Sequence, residues 1–380
     1  LQSHLDAQPT DARGWAILSL LLIEQGRASA DPSAYARADD ASETSLSVQT
    51  RGNDLALAAR AALYSAYHRF DEALQMANQS LAINPYGPAA LGVRVDALTE
   101  LGRFPAAQRA AVVFDTRQPG LAATTRLAYQ AELRADDDQA RRLFAAALAQ
   151  ATDPASIAFT EFHLGELARR AGQLNAAQGH YDAALTAVAD DPTALAGRAR
   201  VLALQGKLQR ATAILEGVVQ RVPSIEHLVA LGELHEVQGD DAAAQQQYDV
   251  VRAAADLSRS AGVRPDLELA WFEADHGSAR AALDLARAEW RARKSPLVAD
   301  ALAWALHANG DDAEALRYTR LATAYGGDAR SWHHRGVIEA ALGQDEAVRH
   351  LRYAVKVDRG YATWQAEQVQ IALADLEGQR

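Results

Sequence analysis

Cysteine is absent from the 380-residue sequence, methionine occurs once, and no long apolar run is present. The lack of cysteine excludes disulfides, zinc sites with thiolate ligands, iron–sulfur clusters and cysteine nucleophiles. Since a membrane helix needs about 18 consecutive apolar residues, we expect no insertion into a membrane. Basic residues are outnumbered by acidic ones, 38 against 49, which argues against nucleic acid as the main partner.

Aromatic residues are also scarce, at 6% of a chain that is 49% hydrophobic, and much of the hydrophobic fraction is alanine. Small apolar side chains suit closely packed helices, so the composition favours an all-α protein. The sequence starts at Leu1, and we therefore expect that an upstream segment was removed. The scarcity of cysteine and methionine favours an extracytoplasmic location, secreted or in the cell envelope. The alternative is a truncated cytoplasmic protein.

A short phrase of the form G-x-x-x-x-A recurs along the chain. It begins at Gly102, Gly172, Gly206, Gly239 and Gly310, and close versions begin at Gly277 and Gly343. From Gly172 onward, successive glycines are 34, 33, 38, 33 and 33 residues apart. Such a fixed period is the signature of a repeat architecture.

The residues around each glycine indicate two helices. Before the glycine, apolar and small residues recur at spacings of three and four. After it, an alanine is followed four residues later by a bulky side chain and then by another small residue, as in Ala177, Tyr181 and Ala184. Glycine adopts a positive φ without penalty and so ends the first helix. Each unit is therefore predicted to be a helix–turn–helix.

This pattern resembles the tetratricopeptide repeat, a helix–turn–helix of about 34 residues. Trp15, Leu18 and Leu22 fit its opening, as do the pairs Leu164-Gly165 and Leu231-Gly232. The resemblance implies a right-handed superhelical solenoid of about ten units, continuous over residues 1–380. The predicted units begin near Ala12, Asp54, Pro88, Leu121, Ala158, Pro192, Ile225, Val263, Pro296 and Ala329.

Three segments depart from the regular pattern. Residues 28–50 are predicted to form an extended insertion in the first repeat, and residues 361–380 a C-terminal capping helix. The fourth unit has Asp136-Asp137-Asp138 where its turn glycine is expected.

Two phrases, Trp271 to Gly277 and Asp300 to His307, are also similar to exported repeat proteins of actinobacteria.

Motifs that carry catalytic chemistry are missing. The sequence has no G-x-S-x-G element, no phosphate-binding loop, no dinucleotide fingerprint and no H-E-x-x-H pair. Acidic pairs such as Asp311-Asp312 fall at turns, where they favour the positive end of a helix dipole. We therefore predict no enzymatic activity, no catalytic residue, no metal site and no cofactor.

The resemblance implies that the first helix of each unit lines a concave groove. Projected onto the units, the groove positions predicted to bind a partner are Tyr129, Phe159, Phe162, Glu166, Arg169, Arg200, Glu233, Glu236, Trp271, Asp300, Trp304, His307 and His333. Phe162, Trp271 and Trp304 fall outside the packing positions, which favours exposed anchors for a partner. The alternative is that curvature of the array packs these rings against adjacent helices.

The leading hypothesis is a non-catalytic interaction scaffold that binds a protein or peptide in this groove. Arrays that hold a C-terminal carboxylate use basic residues at the fifth position of the first helix, where this chain has residues such as Ala16, Ala58 and Val229. An extended or helical segment is therefore the expected ligand. The alternative hypothesis is an exported accessory protein for metal-ion or small-solute uptake, with His276, His307 and His333 and neighbouring carboxylates as ligands.

Overall fold

The computed structural model describes residues 1–29, 31, 33–359 and 363–378. Within these residues the secondary structure is entirely helical, and ten consecutive helix pairs follow one another along the chain. A short helix, α1 (Gln2–Ala7), precedes the pairs, and α22 (Thr363–Gly378) follows them. The prediction of an all-α chain of about ten helix–turn–helix units is confirmed.

Each pair consists of a first and a second helix. The first helices are α2 (Ala12–Ser29), α4 (Asp54–Ala66), α6 (Pro88–Glu100), α8 (Leu121–Glu132), α10 (Pro154–Arg170), α12 (Pro192–Leu204), α14 (Ile225–Val237), α16 (Asp266–His276), α18 (Pro296–Ala308) and α20 (Ala329–Ala341). The second helices are α3 (Ser33–Val48), α5 (Phe70–Ile83), α7 (Phe104–Arg117), α9 (Asp137–Leu148), α11 (Leu174–Ala187), α13 (Leu208–Arg221), α15 (Asp241–Ser260), α17 (Ala279–Ala292), α19 (Asp312–Ala322) and α21 (Ala347–Val357).

The first helices begin at the predicted unit starts in eight of the ten pairs. Pair five begins earlier, at Pro154 rather than Ala158, because the carboxylate of Asp153 caps the helix by accepting the Ser156 N–H at 2.9 Å. Pair eight begins later, at Asp266 rather than Val263. Pro265 explains this shift, since the residue before a proline is disfavoured in helical conformation.

In eight of the ten pairs, the turn between the two helices contains a residue with a positive φ. Gly172 in pair five has φ of 75°, as expected for a glycine that ends a helix. Pair four has no glycine at this place, and Ala135 takes the left-handed conformation with φ of 56°. His68 does the same in pair two, with φ of 58°. The turn geometry is therefore kept even where its usual residue is missing.

The two helices of a pair approach closely where the first helix carries a glycine. A Cβ built on Gly165 would lie 2.6 Å from the ring of Tyr181, and one on Gly232 would overlap the ring of Tyr248. Both tyrosines are buried, and each follows the alanine of its G-x-x-x-x-A phrase by four residues. The small residue on one helix thus makes room for the large residue on the other.

The helix pairs form two compact units. Unit 1 comprises Leu1–Gln130 and Ala255–Pro265, and unit 2 comprises Ala131–Ala254 and Asp266–Arg380. In unit 1 the core contains Leu63, Leu91 and Phe114. In unit 2 the largest core cluster runs from α16 to α20. The continuity of one solenoid over residues 1–380 stays a prediction.

Two irregular segments of the sequence are largely helical. Residues 28–50 include α3, which buries Ala34, Ala38 and Ala41 and is the second helix of pair one. Pair one is thus long because its helices have 18 and 16 residues rather than because of a long loop. The predicted cap, residues 361–380, contains α22. Residues 30, 32, 360–362, 379 and 380 lie outside the described part of the chain.

Candidate partner-binding surface

The first helices of unit 2 lie next to one another. Helix α10 contacts α12, and α14, α16, α18 and α20 form a consecutive series of contacts. We call the surface that these six helices share the inner face. Twelve of the thirteen predicted groove residues are on these helices, and the remaining one, Tyr129, belongs to unit 1, where its side chain is 41% exposed.

Glu166 on α10 is the centre of an ion-pair network at one end of the inner face. Its carboxylate accepts hydrogen bonds from Arg169 at 3.1 Å, from Arg200 on α12 at 3.1 Å and from the hydroxyl of Tyr181 on α11 at 2.5 Å. Burial alone would raise the pKa of Glu166, but Arg200 and Arg169 outweigh it and lower that pKa to about 2. Three predicted groove residues, Glu166, Arg169 and Arg200, therefore form ion pairs with one another.

Arg169 also connects distant parts of unit 2. Its guanidinium donates to both carboxylate oxygens of Asp358, at 3.0 and 3.1 Å, and Asp358 directly follows α21. The N–H of Arg359 donates to the carbonyl of Arg170 at 2.8 Å. The end of pair ten is thus bonded to the first helix of pair five.

His276 lies between two predicted groove residues. Glu233 and Glu236 on α14 approach its ring nitrogens at 3.4 Å each. The imidazole also stacks on Tyr248 at 4.6 Å between ring centroids and faces Trp364 of α22 at 4.8 Å. Burial opposes the charged imidazolium, but the neighbouring carboxylates outweigh burial and raise the pKa of His276.

Asp300 is almost fully buried, at 1% exposure, and is held by two neighbours. The indole N–H of Trp271 donates to its carboxylate at 3.0 Å, and His334 on α20 lies 3.1 Å from both oxygens. The guanidinium of Arg330 lies over the Trp271 ring at 4.3 Å from its centroid. Asp300 therefore joins α16, α18 and α20 rather than offering a free carboxylate to a ligand.

Trp304 is engaged on both its polar and its apolar sides. Its indole N–H donates to Asp275 at 2.6 Å, and its ring stacks on His334 with 4.0 Å between centroids. Burial raises the pKa of Asp275 despite this hydrogen bond. Like Trp271 and Phe162, Trp304 is half-buried. Neighbouring first helices contact the two tryptophans, whereas Phe162 packs near Tyr181 of α11, at 6.0 Å between ring centroids. The alternative, packing against adjacent helices, describes these three aromatics better than open exposure.

The two histidines among the predicted groove residues, His307 and His333, lie in different environments. His307 bonds through Nδ1 to Asp312 at 2.5 Å and stacks on Trp304 at 4.9 Å. His333 is buried, which lowers its pKa to about 3 and keeps the ring neutral. Across the described residues, no group of three or more His, Cys, Asp or Glu side chains is arranged to hold a metal ion. The uptake hypothesis thus gains no support from His276, His307 and His333.

Phe159 on α10 is the most accessible of the predicted groove aromatics, with 48% of its surface exposed. Its ring packs edge-on against His163 at 4.5 Å, and His163 stacks on Phe144 at 4.7 Å. Burial lowers the pKa of His163 to about 4. Phe159 is therefore an apolar ring held in place by its neighbours yet open to a partner.

The repeat pattern of the sequence does not predict several contacts of this surface. Asp358, Asp275 and His334 meet residues that are between 29 and 189 positions away, and only the stacking of distant pairs brings them together. Trp364 is the clearest case, because it lies at the start of the helix predicted to be a cap. The only feature of the sequence that points to this contact is the presence of a tryptophan in the first turn of α22.

Helix α22 occupies part of the inner face. It packs against α12, α14 and α20, in addition to α21, which directly precedes it. A cavity of about 50 Å³ remains beside Trp364. Its lining includes Ala196, Arg200, Glu226, Ala230 and Glu233. No helix among the described residues is long and apolar enough to span a membrane.

No protein-family model and no curated protein sequence matches the chain. Solved structures that resemble it include a tetratricopeptide repeat protein from Parabacteroides merdae, 20% identical, with a TM-score of 0.38 over 67% of this chain and 97% of that one. Cut9 in the anaphase-promoting complex hetero-tetramer Cut9–Hcn1 is 12% identical, with a TM-score of 0.44 over 94% and 87% of the two chains.

The type IV pilus biogenesis factor PilW is also similar, at 20% identity and a TM-score of 0.44 over 53% of this chain and 92% of PilW. The similarity to exported actinobacterial proteins stays a prediction. Consecutive helix–turn–helix pairs that recur about every 34 residues are the features of tetratricopeptide repeats. The chain has a tetratricopeptide-type fold.

Proposed function

We propose that the chain is a non-catalytic scaffold that binds a protein or peptide partner on the inner face of unit 2. Tandem helix pairs build extended surfaces of the kind used for binding other proteins. The observation that carries the proposal is the position of α22, a helix outside the ten pairs that packs against α12, α14 and α20. The inner face is thus shaped to hold a helix.

Phe159 supplies the accessible apolar contact for this partner. Exposed aromatic rings that are fixed by their neighbours lose little entropy on binding and serve as anchors. Glu166, Arg169 and Arg200 contribute by holding α10 and α12 in register, since their charges are already paired with one another. Trp271, Asp300 and Trp304 shape the same face from α16 and α18.

Site-specific crosslinking tests the proposal. A photo-reactive amino acid replaces Phe159 in one variant and Val250, which is 43% exposed on the second helix α15, in the matched control. We expect a protein of the source cell to crosslink at position 159 and not at position 250. Calorimetric titration of that protein then gives an affinity that Phe159→Ala weakens by about tenfold, or about 1.4 kcal/mol.

The proposal fails if positions 159 and 250 capture the same proteins or if Phe159→Ala leaves the affinity unchanged. Extracytoplasmic location stays a separate prediction, and fractionation of the source cells tests it independently of the partner.

A further inference from the structure

Helix α22 presents one side to the other helices of unit 2 and the other side to solvent. Val369 is fully buried, and Leu373 and Leu376 are partly buried. Glu367 and Gln370 are exposed on the opposite side, as is Ile371, at 49%. With 16 residues, the helix is about 24 Å long. It thus lies on α12, α14 and α20 as a helical ligand lies in a groove.

Trp364 is the anchor of α22 on the inner face. Its indole contacts His276 of α16 and lines the cavity together with Arg200 and Glu233, which come from α12 and α14. The lining combines small apolar residues such as Ala196 and Ala230 with the charged side chains of Arg200 and Glu233. The contact of Trp364 leaves this cavity unfilled, so a partner side chain that reaches into it gains additional packing.

The chain connection keeps α22 close to this surface. Only residues 358–362 separate the end of α21 from the start of α22, and Asp358 is bonded to Arg169 on α10. A short tether of this kind gives an effective concentration in the millimolar range. A partner must therefore compete with a ligand that is always present.

We propose that α22 is a built-in occupant of the inner face, and that the partner is an amphipathic helix with an aromatic anchor that replaces it. This inference rests on the proposed function and specifies its ligand class. The partner and α22 compete for α12, α14 and α20. The apparent affinity of the partner is therefore its intrinsic affinity multiplied by the fraction of molecules in which α22 has left this surface.

The test uses the full chain and a fluorescent peptide with the sequence of residues 363–378. Three variants are compared with the parent: Trp364→Ala removes the anchor, Val369→Asp places a charge on the buried side of α22, and Ile371→Ala is the control on its exposed side. We expect the peptide to bind Trp364→Ala and Val369→Asp at least about tenfold more tightly than the parent, because a weakened tethered helix competes less. Ile371→Ala should bind the peptide like the parent.

Circular dichroism establishes that each variant is folded, and having two disruptive variants covers the failure of either one. Equal peptide affinity in the parent and both disruptive variants would overturn the inference, as would the absence of peptide binding in all of them. Hydrogen exchange in α22 adds an independent measure, since amides that exchange as fast in the parent as in Trp364→Ala also contradict it.

These outcomes are separate from those of the crosslinking experiment. A partner that crosslinks at position 159 but whose affinity does not change in Trp364→Ala supports the scaffold function and overturns the competition. Peptide binding that responds to Trp364→Ala without any partner at position 159 supports α22 as an internal ligand and contradicts the scaffold function.

Discussion

The hydroxyl of Tyr181 donates a 2.5 Å hydrogen bond to the carboxylate of Glu166, and this contact joins the two helices of pair five. The same carboxylate binds Arg200 of pair six, so one buried side chain holds two consecutive pairs together. Glu166 was predicted as a groove residue that meets a partner, and its contacts show a structural role within the array.

Replacing Glu166 with alanine should destabilise unit 2 strongly. The change leaves the Tyr181 hydroxyl without its acceptor and removes the carboxylate between two guanidinium groups, which we expect to cost about 3 kcal/mol. Urea unfolding followed by circular dichroism measures the loss. Asp138→Ala is the control, because its ion pair with Arg141 is largely exposed and contributes less than about 1 kcal/mol. Equal losses in both variants would contradict the role of Glu166.

His163 should make the protein sensitive to acid. Its pKa is about 4 in the folded chain and 6.5 when the ring is unperturbed, so the unfolded chain binds the proton more readily between these values. Stability is therefore expected to fall as the pH decreases below 6.5, by up to about 2 kcal/mol from this group between pH 7 and pH 5. His163→Phe fits the stack with Phe144 and should reduce that loss. An unchanged pH dependence in the variant would refute the assignment.

Gly165 and Gly179 provide a matched pair of substitutions within pair five. Gly165→Ala places a methyl group 2.6 Å from the Tyr181 ring and should cost about 2 kcal/mol through overpacking. Gly179→Ala meets no atom within 4 Å and should stabilise its helix by about 0.5 to 1 kcal/mol. Thermal unfolding compares the two variants. Shifts of the unfolding midpoint in the same direction would show that helix propensity, rather than contact with Tyr181, determines the effect of alanine on stability.

The turn of pair four offers a route to higher stability. Ala135 has φ of 56°, a conformation in which a side chain costs about 1 to 2 kcal/mol. Ala135→Gly removes this strain, and after the entropy cost of glycine we expect a gain of up to about 1 kcal/mol. Ala171→Gly is the control, because Ala171 has an ordinary helical φ of −71° and should lose stability. A loss at both positions would contradict the strain at Ala135.

Substitutions at Trp304 and Phe159 should affect different properties, namely stability for Trp304 and partner binding for Phe159. Trp304→Ala breaks the hydrogen bond to Asp275 and the stack on His334, so we expect a loss of about 3 to 5 kcal/mol in the free energy of unfolding. Phe159→Ala alters a ring that is 48% exposed and should cost less than about 1 kcal/mol while weakening partner binding. Denaturant unfolding and calorimetry give the two quantities. A larger stability loss for Phe159→Ala than for Trp304→Ala would reverse these roles.

The repeat period was enough to predict the helices, because each pair is a local unit with its own turn. Eight first helices begin at the predicted residue, and the shifts at Pro154 and Asp266 follow from a cap and a proline that the period does not describe. The aromatic residues were harder. Whether Trp271 or Trp304 faces solvent depends on how tightly neighbouring first helices approach each other, and no residue within one repeat encodes that distance.

The groove itself was predictable as a set of positions but not as a set of interactions. Asp358 binds Arg169 across a separation of 189 residues, and Trp364 meets His276 from outside the repeats altogether. Both contacts depend on the curvature of unit 2 summed over several pairs. Small errors in the predicted orientation of each pair accumulate over such distances. The repeat period therefore does not predict these two contacts.

The ion pair between Arg169 and Asp358 has a consequence for how this protein is able to change in length. An open array gains or loses a repeat with little effect beyond the neighbouring pair. In unit 2, deletion or insertion of one pair between positions 169 and 358 moves the two partners apart and leaves the buried charge of Arg169 without Asp358. The number of repeats in this part of the chain is therefore a fixed property of the fold.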